Sequence, residues 1–248
     1  MSNIFKKVSS VVITIFTIAC LYFMSKGKVG IVAAYSLIGF NIVRVLLEIV
    51  VAKKISDKLK ISDKLKEEIP RKTAHILLCL ITIPMVYYSF KGTIHLIVFP
   101  MIGMVMMFGA FKTGFVDKYI SRNEHDETLY KSLYGIVLGF IINGIITLIY
   151  PKYSIIALLG IVTLGVGDPM ACLVGKSLGK HKLKNGKSIE GIISFIVGST
   201  ISLCLFSHIV IWKVLVMSIV GAVAELFSGD YDNILIQLSV AITAICII

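Results

Sequence analysis

The chain has 248 residues, 57% of them hydrophobic and only 16% charged, with a mean hydropathy of +0.92 and a net charge of +11. A soluble domain carries about 25% charged residues, so this composition excludes an ordinary soluble domain. The charge would suit a nucleic-acid binder, but basic cytosolic loops of a membrane protein explain it more simply, and no nucleic-acid partner is expected.

The apolar residues fall in long runs such as Val11–Met24, Ile31–Val43 and Ile192–Phe206. Crossing the hydrocarbon takes roughly 20 largely apolar residues as a helix, so the expected fold is all-α, a polytopic transmembrane bundle of about 7–9 spans. In chain order the helical segments are 8–25, 30–52, 71–89, 93–111, 131–150, 154–178, 190–208, 212–228 and 233–248. The first follows Lys6 and Lys7 like a signal peptide, but bulky Tyr22, Phe23 and Met24 replace the small-residue cleavage pattern, and it reads as a retained span. In the second, Arg44 and Glu48 stand one turn apart, which predicts an intrahelical pair.

Between the second and third spans lies a tandem hexad, Ile-Ser-Asp-Lys-Leu-Lys at 55–60 and again at 61–66. Ile55, Leu59, Ile61, Leu65 and Ile69 gather on one side of a helix. Lys54, Lys58 and Lys66 fall on the same arc, placed to snorkel to lipid phosphates. Residues 53–70 therefore read as an amphipathic cytosolic surface helix ended by Pro70, between N-terminal spans 1–52 and a membrane-embedded catalytic domain 71–248.

Placing the loops alternately on two sides leaves only Lys26, Lys28, Lys91, Lys152 and Lys213 on one of them. The lysine-rich side is cytosolic by the positive-inside rule, which puts the N-terminus inside and predicts a multi-pass protein of the cell membrane. The five cysteines, Cys20, Cys79, Cys172, Cys204 and Cys246, lie in apolar segments without paired spacing and indicate neither a disulfide framework nor a zinc site.

The stretch from Gly165 to Gly191 carries the chemistry. Gly165 and Gly167 loosen a helical turn, and Asp168 before Pro169 is placed to cap a new helix. Such a break at membrane depth lines a cavity, and the N-terminus of the new helix favours an anion there. Asp168 beside an anion suggests a divalent cation between carboxylate and phosphate. A Gly/Lys loop follows, with Gly175, Gly179 and Gly186 among Lys176, Lys180, Lys182, Lys184 and Lys187, then Ser188, Glu190 and Gly191. Taken singly, the lysines are an ordinary basic loop and Asp168 an ordinary cap; together they indicate a phosphate or nucleotide site.

Gly167-Asp168-Pro169-x-Ala171, Gly175-Lys176-x-x-Gly179-Lys180 and Lys187-Ser188-x-Glu190-Gly191 resemble the motif block of the CTP-dependent polyprenol kinase family. That family includes dolichol and phytol kinases and the fungal CTP-dependent diacylglycerol kinase. Arg71-Lys72-x-x-His75 resembles its Arg-Lys-x-x-His element, and Glu225 with Asp232-Asn233 its late Glu and Asp-Asn pair. The resemblance implies transfer of the γ-phosphoryl group of CTP, with Mg2+, to the hydroxyl of a membrane lipid: an isoprenoid alcohol of polyprenol, dolichol or phytol type, or diacylglycerol. The implied metal residues are Asp168, Glu190 and Asp232. Lys180 and Lys187 would meet the phosphates, with Gly167, Gly175, Lys176, Gly179, Ser188, Gly191, Arg71, Lys72 and Asn233 contributing to the nucleotide site. Either His75 or a carboxylate would serve as base.

Two other readings remain open. Phosphatidate cytidylyltransferases share the Asp…Gly-Lys…Glu-Gly skeleton but show Ser-Pro-Lys-Lys-Thr where this chain has Asn-Gly-Lys-Ser-Ile. Broken helices bearing carboxylates also occur in transporters, although the two halves here show no internal duplication. His125, among Glu124, Asp126 and Glu127, reads as part of a solvated loop, and His95 and His208 fall near the outer boundary.

Overall fold

The computed structural model describes residues 47–88, 112–120, 127–149 and 154–248. The expected spans at 8–25 and 93–111, most of that at 30–52, and Arg44, His95 and the His125 cluster lie outside the described residues.

The described chain is all-helical, with a single isolated β-bridge between Lys182 and Ser188. The helices are α1 (residues 47–58), α2 (Asp63–Tyr88), α3 (Phe115–Tyr119), α4 (Glu127–Ile149), α5 (Ser154–Ser177), α6 (Ile189–Phe206), α7 (Ile211–Phe227) and α8 (Asp232–Ile247). A short 3₁₀ turn, Gly229–Tyr231, joins the last two. Among the described residues, Ile155–Ser177 and Gly229–Ile247 form helices long and apolar enough to cross a membrane, and Ile189–Leu205 is a shorter apolar helix.

The tandem hexad plays two roles. In its first copy, Ser56 sits inside α1 and its hydroxyl donates back to the Lys53 carbonyl at 2.8 Å. In its second copy, the Ser62 carbonyl accepts from Leu65 and Lys66, so the serine opens α2. The chain breaks between the copies, at residues 59–62, and runs as helix through Pro70. The expected stop at Pro70 is thus displaced by about two turns. Proline in a helix interior costs about 3 kcal/mol, but both sides of Pro70 are tied to α5: Glu68 pairs with Lys176 and Lys72 with Asp168.

Helix α5 is central, touching α2, α4, α6, α7 and α8. Its first half supplies much of the core: Ile156, Leu158, Leu159, Ile161, Val162 and Leu164 are all buried. The expected break at Gly165-Gly167-Asp168-Pro169 does not occur. The helix is continuous through Pro169, and Asp168 is an interior residue, not a cap. The two glycines serve packing. A Cβ on Gly165 would meet Cys79 of α2, and one on Gly167 would fall 2.7 Å from the Phe195 ring of α6. Close docking on both sides holds α5 together across the hydrogen bond that Pro169 cannot make.

Polar side chains and glycines join α4 and α5 to α8. Gln237 is fully buried and donates to the carbonyl of Asn233 at 2.9 Å, while Asn143 donates to Gln237 at 3.5 Å. Gly139 and Gly160 leave room for Gln237, whose carbonyl oxygen lies 2.7 Å from where a Cβ of residue 160 would stand. Small residues with interhelical hydrogen bonds are the usual means of association where lipid removes the hydrophobic drive between helices.

Candidate active site

Four charged or titratable residues of α2, Glu68, Arg71, Lys72 and His75, follow the spacing i, i+3, i+4, i+7 and form one stripe along the helix. The stripe faces the second half of α5. The Lys72 ammonium donates to Asp168 Oδ2 at 2.6 Å, and His75 Nδ1 lies 2.9 Å from the same oxygen. Both donors meet one carboxylate oxygen, and Asp168 is 4% exposed. His75 Nε2 is buried without a hydrogen-bond partner among the described residues.

One turn back, Glu68 is 1% exposed. It accepts from Lys176 at 2.8 Å, stands 3.7 Å from Arg71 and meets the Cys172 thiol at 3.5 Å. Burial pushes the Glu68 carboxyl up, but the Arg71 charge and the Lys176 hydrogen bond outweigh it and hold it at about 2.

The loop from α5 to α6 turns back on itself. The Leu183 amide donates to the Lys187 carbonyl at 2.8 Å and the Gly186 amide to the Leu183 carbonyl at 2.9 Å, with Gly186 at φ 81°, a conformation that favours glycine. Ser188 then caps α6, accepting from the Gly191 amide at 3.2 Å. Three side chains of the loop fix it to helix ends. Lys182 donates to the Gly175 carbonyl at 2.9 Å and Asn185 to the Leu226 carbonyl at 2.8 Å. Lys187 pairs with the Glu225 carboxylate at 2.8 Å and also donates to the Glu225 carbonyl.

These elements enclose a cavity of about 310 Å³ between α2, α5, the loop, α6 and the start of α8. Arg71, Lys72, Lys176, Lys182 and Lys187 bring five cations to its wall. Glu68, Asp168, Glu225, Asp230 and Asp232 bring five carboxylates. Four of the carboxylates stand in ion pairs: Glu68 with Lys176, Asp168 with Lys72, Glu225 with Lys187, and Asp230 with Lys131. Asp232 makes no ion pair among the described residues; it accepts the Asn233 amide at 2.8 Å. Asn233 donates through Nδ2 to the Ser132 carbonyl at 3.0 Å, and its Oδ1 is buried without a donor among the described residues.

Of the residues singled out in the sequence, Arg71, Lys72, Asp168, Gly175, Lys176, Lys187, Ser188, Gly191, Asp232 and Asn233 line this cavity. His75 stands behind Asp168, and Gly167 is buried against α6. Gly179 packs on Ser188, where a Cβ would fall 2.6 Å from its hydroxyl. Lys180 is exposed and is not part of the wall. Glu190 turns outward to His181, 2.7 Å from its Nδ1. No three His, Cys, Asp or Glu side chains among the described residues are grouped to hold a metal ion. Magnesium needs less, because it binds through one or two carboxylates together with substrate phosphates. Asp232 without a cation, the free Oδ1 of Asn233, and Asp168 nearby on the same wall fit such an ion; Glu190 does not reach it.

Glu68 and Asp230 were not among the site residues expected from sequence, and Lys182 was expected only as one of the loop lysines. Glu68 was within reach: one helical step back from Arg71-Lys72-x-x-His75, on the same face, stands a carboxylate. Asp230 carries no such signal, because only the turn into α8 brings it to the cavity.

No family model and no solved structure matches the chain. Among curated proteins it is 30% identical over 191 residues to dolichol kinase sec59 of Schizosaccharomyces pombe, a match that covers 68% of this chain and 37% of the relative. The chain thus spans little more than a third of the length of the protein it matches. It is a distant homologue of a dolichol kinase, and that similarity supports a place in the polyprenol and dolichol kinase family.

Proposed function

We propose that the protein is an integral-membrane lipid kinase that transfers the γ-phosphoryl group of CTP to the hydroxyl of an isoprenoid alcohol of polyprenol, dolichol or phytol type, or of diacylglycerol, at the cytosolic face. The observation that carries the proposal is the cavity itself. Five cations and five carboxylates converge on the end of α5, at motifs resembling the lipid kinases, in a chain similar to a dolichol kinase. The lysine-rich loops support a cytosolic position for this end of the bundle, where the nucleotide is dissolved, with the acceptor's tail in the bilayer.

In this reaction the lipid hydroxyl oxygen bonds to the γ-phosphorus, the bond to the β–γ bridging oxygen breaks, and CDP leaves. The protein's share is positioning and charge neutralisation. Lys176, Lys182 and Lys187, with Arg71, stand around the cavity to take phosphate oxygens. Asp232, Asn233 and Asp168 are the residues to hold a magnesium ion, which when bound neutralises phosphate charge. Lys72 and His75 fix the Asp168 carboxylate by the same oxygen. That arrangement fixes Asp168 for orienting the bound ligands, and the proton of the acceptor hydroxyl passes to His75 or to a carboxylate of the wall.

The test is a CTP-dependent assay in detergent with magnesium across a panel of lipid alcohols, with products resolved. CDP and a phosphorylated lipid in equal amounts are expected. Stoichiometric pyrophosphate with a CDP-lipid would instead make the protein a cytidylyltransferase. Absence of CTP turnover with every acceptor would leave transport as the better reading.

A further inference from the structure

We infer that Glu68 is a positioning residue for the phosphate donor: it holds Lys176 and Arg71 as a pair of fixed cations on the cavity wall. The inference rests on the nucleotide reading of the cavity. Lys176 lies in the last turn of α5 and its side chain is 34% exposed. A lysine so placed, with four rotatable bonds, spends its time in water unless something holds it. Glu68 holds it. The carboxylate is almost wholly buried, comes from a different helix, and meets the Lys176 ammonium at 2.8 Å. The same oxygen stands 3.7 Å from Arg71, whose side chain is 11% exposed. One buried carboxylate thus sets the place of two cations that line the cavity, and its other oxygen meets the Cys172 thiol at 3.5 Å, which limits its rotation. Arg71 and Lys176 compensate the burial of the carboxyl and hold it at about 2, so it is ionised at neutral pH.

Glu68 acts on the ligand through the cations, so its removal should weaken donor binding and leave the transfer step largely intact. The measurement is CTP affinity by equilibrium titration of the full chain in detergent, alongside KM for CTP and kcat. Glu68→Gln is expected to raise the Kd and KM for CTP about ten-fold, equivalent to about 1.4 kcal/mol, with kcat within about three-fold of wild type and an unchanged elution profile. Lys176→Met should weaken CTP binding similarly. The double variant Glu68→Gln/Lys176→Met should be weaker than Lys176→Met by clearly less than about ten-fold, the remaining loss being the part that acts through Arg71, because residues that act through one another are not additive. Additive losses, or wild-type affinity in Glu68→Gln, would overturn the assignment. If Glu68→Gln alone does not fold, the double variant against Lys176→Met still decides it, since that pair removes both charges together. The kinase reading is tested separately: a wild-type protein that binds CTP with Glu68-dependent affinity but phosphorylates no lipid would sink the kinase and keep this inference. A wild-type protein that binds no CTP would sink both.

Discussion

Asp168→Asn separates what this carboxylate does for the fold from what it does for the reaction. Lys72 and His75 both meet Asp168 Oδ2, at 2.6 and 2.9 Å, and all three residues are largely or fully buried. Removing one partner of a buried ion pair leaves the other charge uncompensated at about 3–5 kcal/mol. The asparagine amide can still accept a hydrogen bond, so the lower figure, about 3 kcal/mol, is the working value. At about 2–4 °C per kcal/mol for a chain of this size, Asp168→Asn should melt roughly 6–12 °C below wild type. Turnover of CTP should fall at least about a hundred-fold, as when a charge-stabilising group is lost. Lys72→Met/Asp168→Asn removes the stranded ammonium and replaces it with an apolar side chain of similar length. That double variant should regain most of the melting temperature and none of the turnover. Thermal scans in detergent and the CTP assay on the same preparations give both numbers. A single variant that melts like wild type would show that the ion pair contributes nothing to stability. One that keeps wild-type turnover would show that the site lies elsewhere.

Lys187→Met should lower turnover at least about a hundred-fold, and it should also leave Glu225 without its cation; wild-type rates in the CTP assay would remove Lys187 from the site. Gly160→Ala should destabilise by about 1–3 kcal/mol, because the new methyl would stand 2.7 Å from the Gln237 backbone oxygen, which cannot swing aside. Gly198→Ala meets the flexible Met170 side chain at 3.0 Å, and Val166 at an ordinary contact distance of 3.5 Å, and should change melting by less than about 1 kcal/mol; equal effects of the two would contradict the packing described. Acid should erase the stabilising part of Glu68. Its folded pKa of about 2 lies below the ordinary 4.5, so the contribution is full above the unfolded value and is lost as pH falls toward the folded one. The melting difference between wild type and Glu68→Gln should hold steady above about pH 5 and shrink below it; a difference that grows in acid would reverse the sign assigned to the pair.

Much of the helical order was legible in the residues. The segments expected at 131–150, 154–178, 190–208, 212–228 and 233–248 correspond to α4 through α8 within a few residues. Apolar runs bounded by lysines, glycines and serines leave little choice there. The interior of α5 was misread for a physical reason: a missing side chain has two meanings. Gly165 and Gly167 beside Pro169 look like a loosened turn, yet the space they leave is filled by Cys79, Phe195 and Ser199. Only the neighbours decide between the two, and they lie on other helices. Asp168 shows the same thing for charge. Its position before a proline suggests a cap, whereas its partners Lys72 and His75 are 96 and 93 residues away. Glu68 was hidden differently, in a run of charged residues that resembles a solvated face until α5 covers it.

The stripe on α2 has a further consequence. Glu68 and His75 are seven residues apart on one uninterrupted helix, about 10 Å along its axis. The four polar residues therefore keep a fixed phase, as marks on a ruler do. Inserting one residue between Lys72 and His75 would rotate the two ends of the stripe out of register by about 100°, so Asp168 would lose one of its two donors. The same insertion at Lys184 in the α5–α6 loop would open the turn closed by the Leu183–Lys187 and Gly186–Leu183 hydrogen bonds but would rotate no helix. Of the two halves of this site, a change in count on the helix shifts every residue beyond it, whereas one in the loop disturbs the turn where it falls.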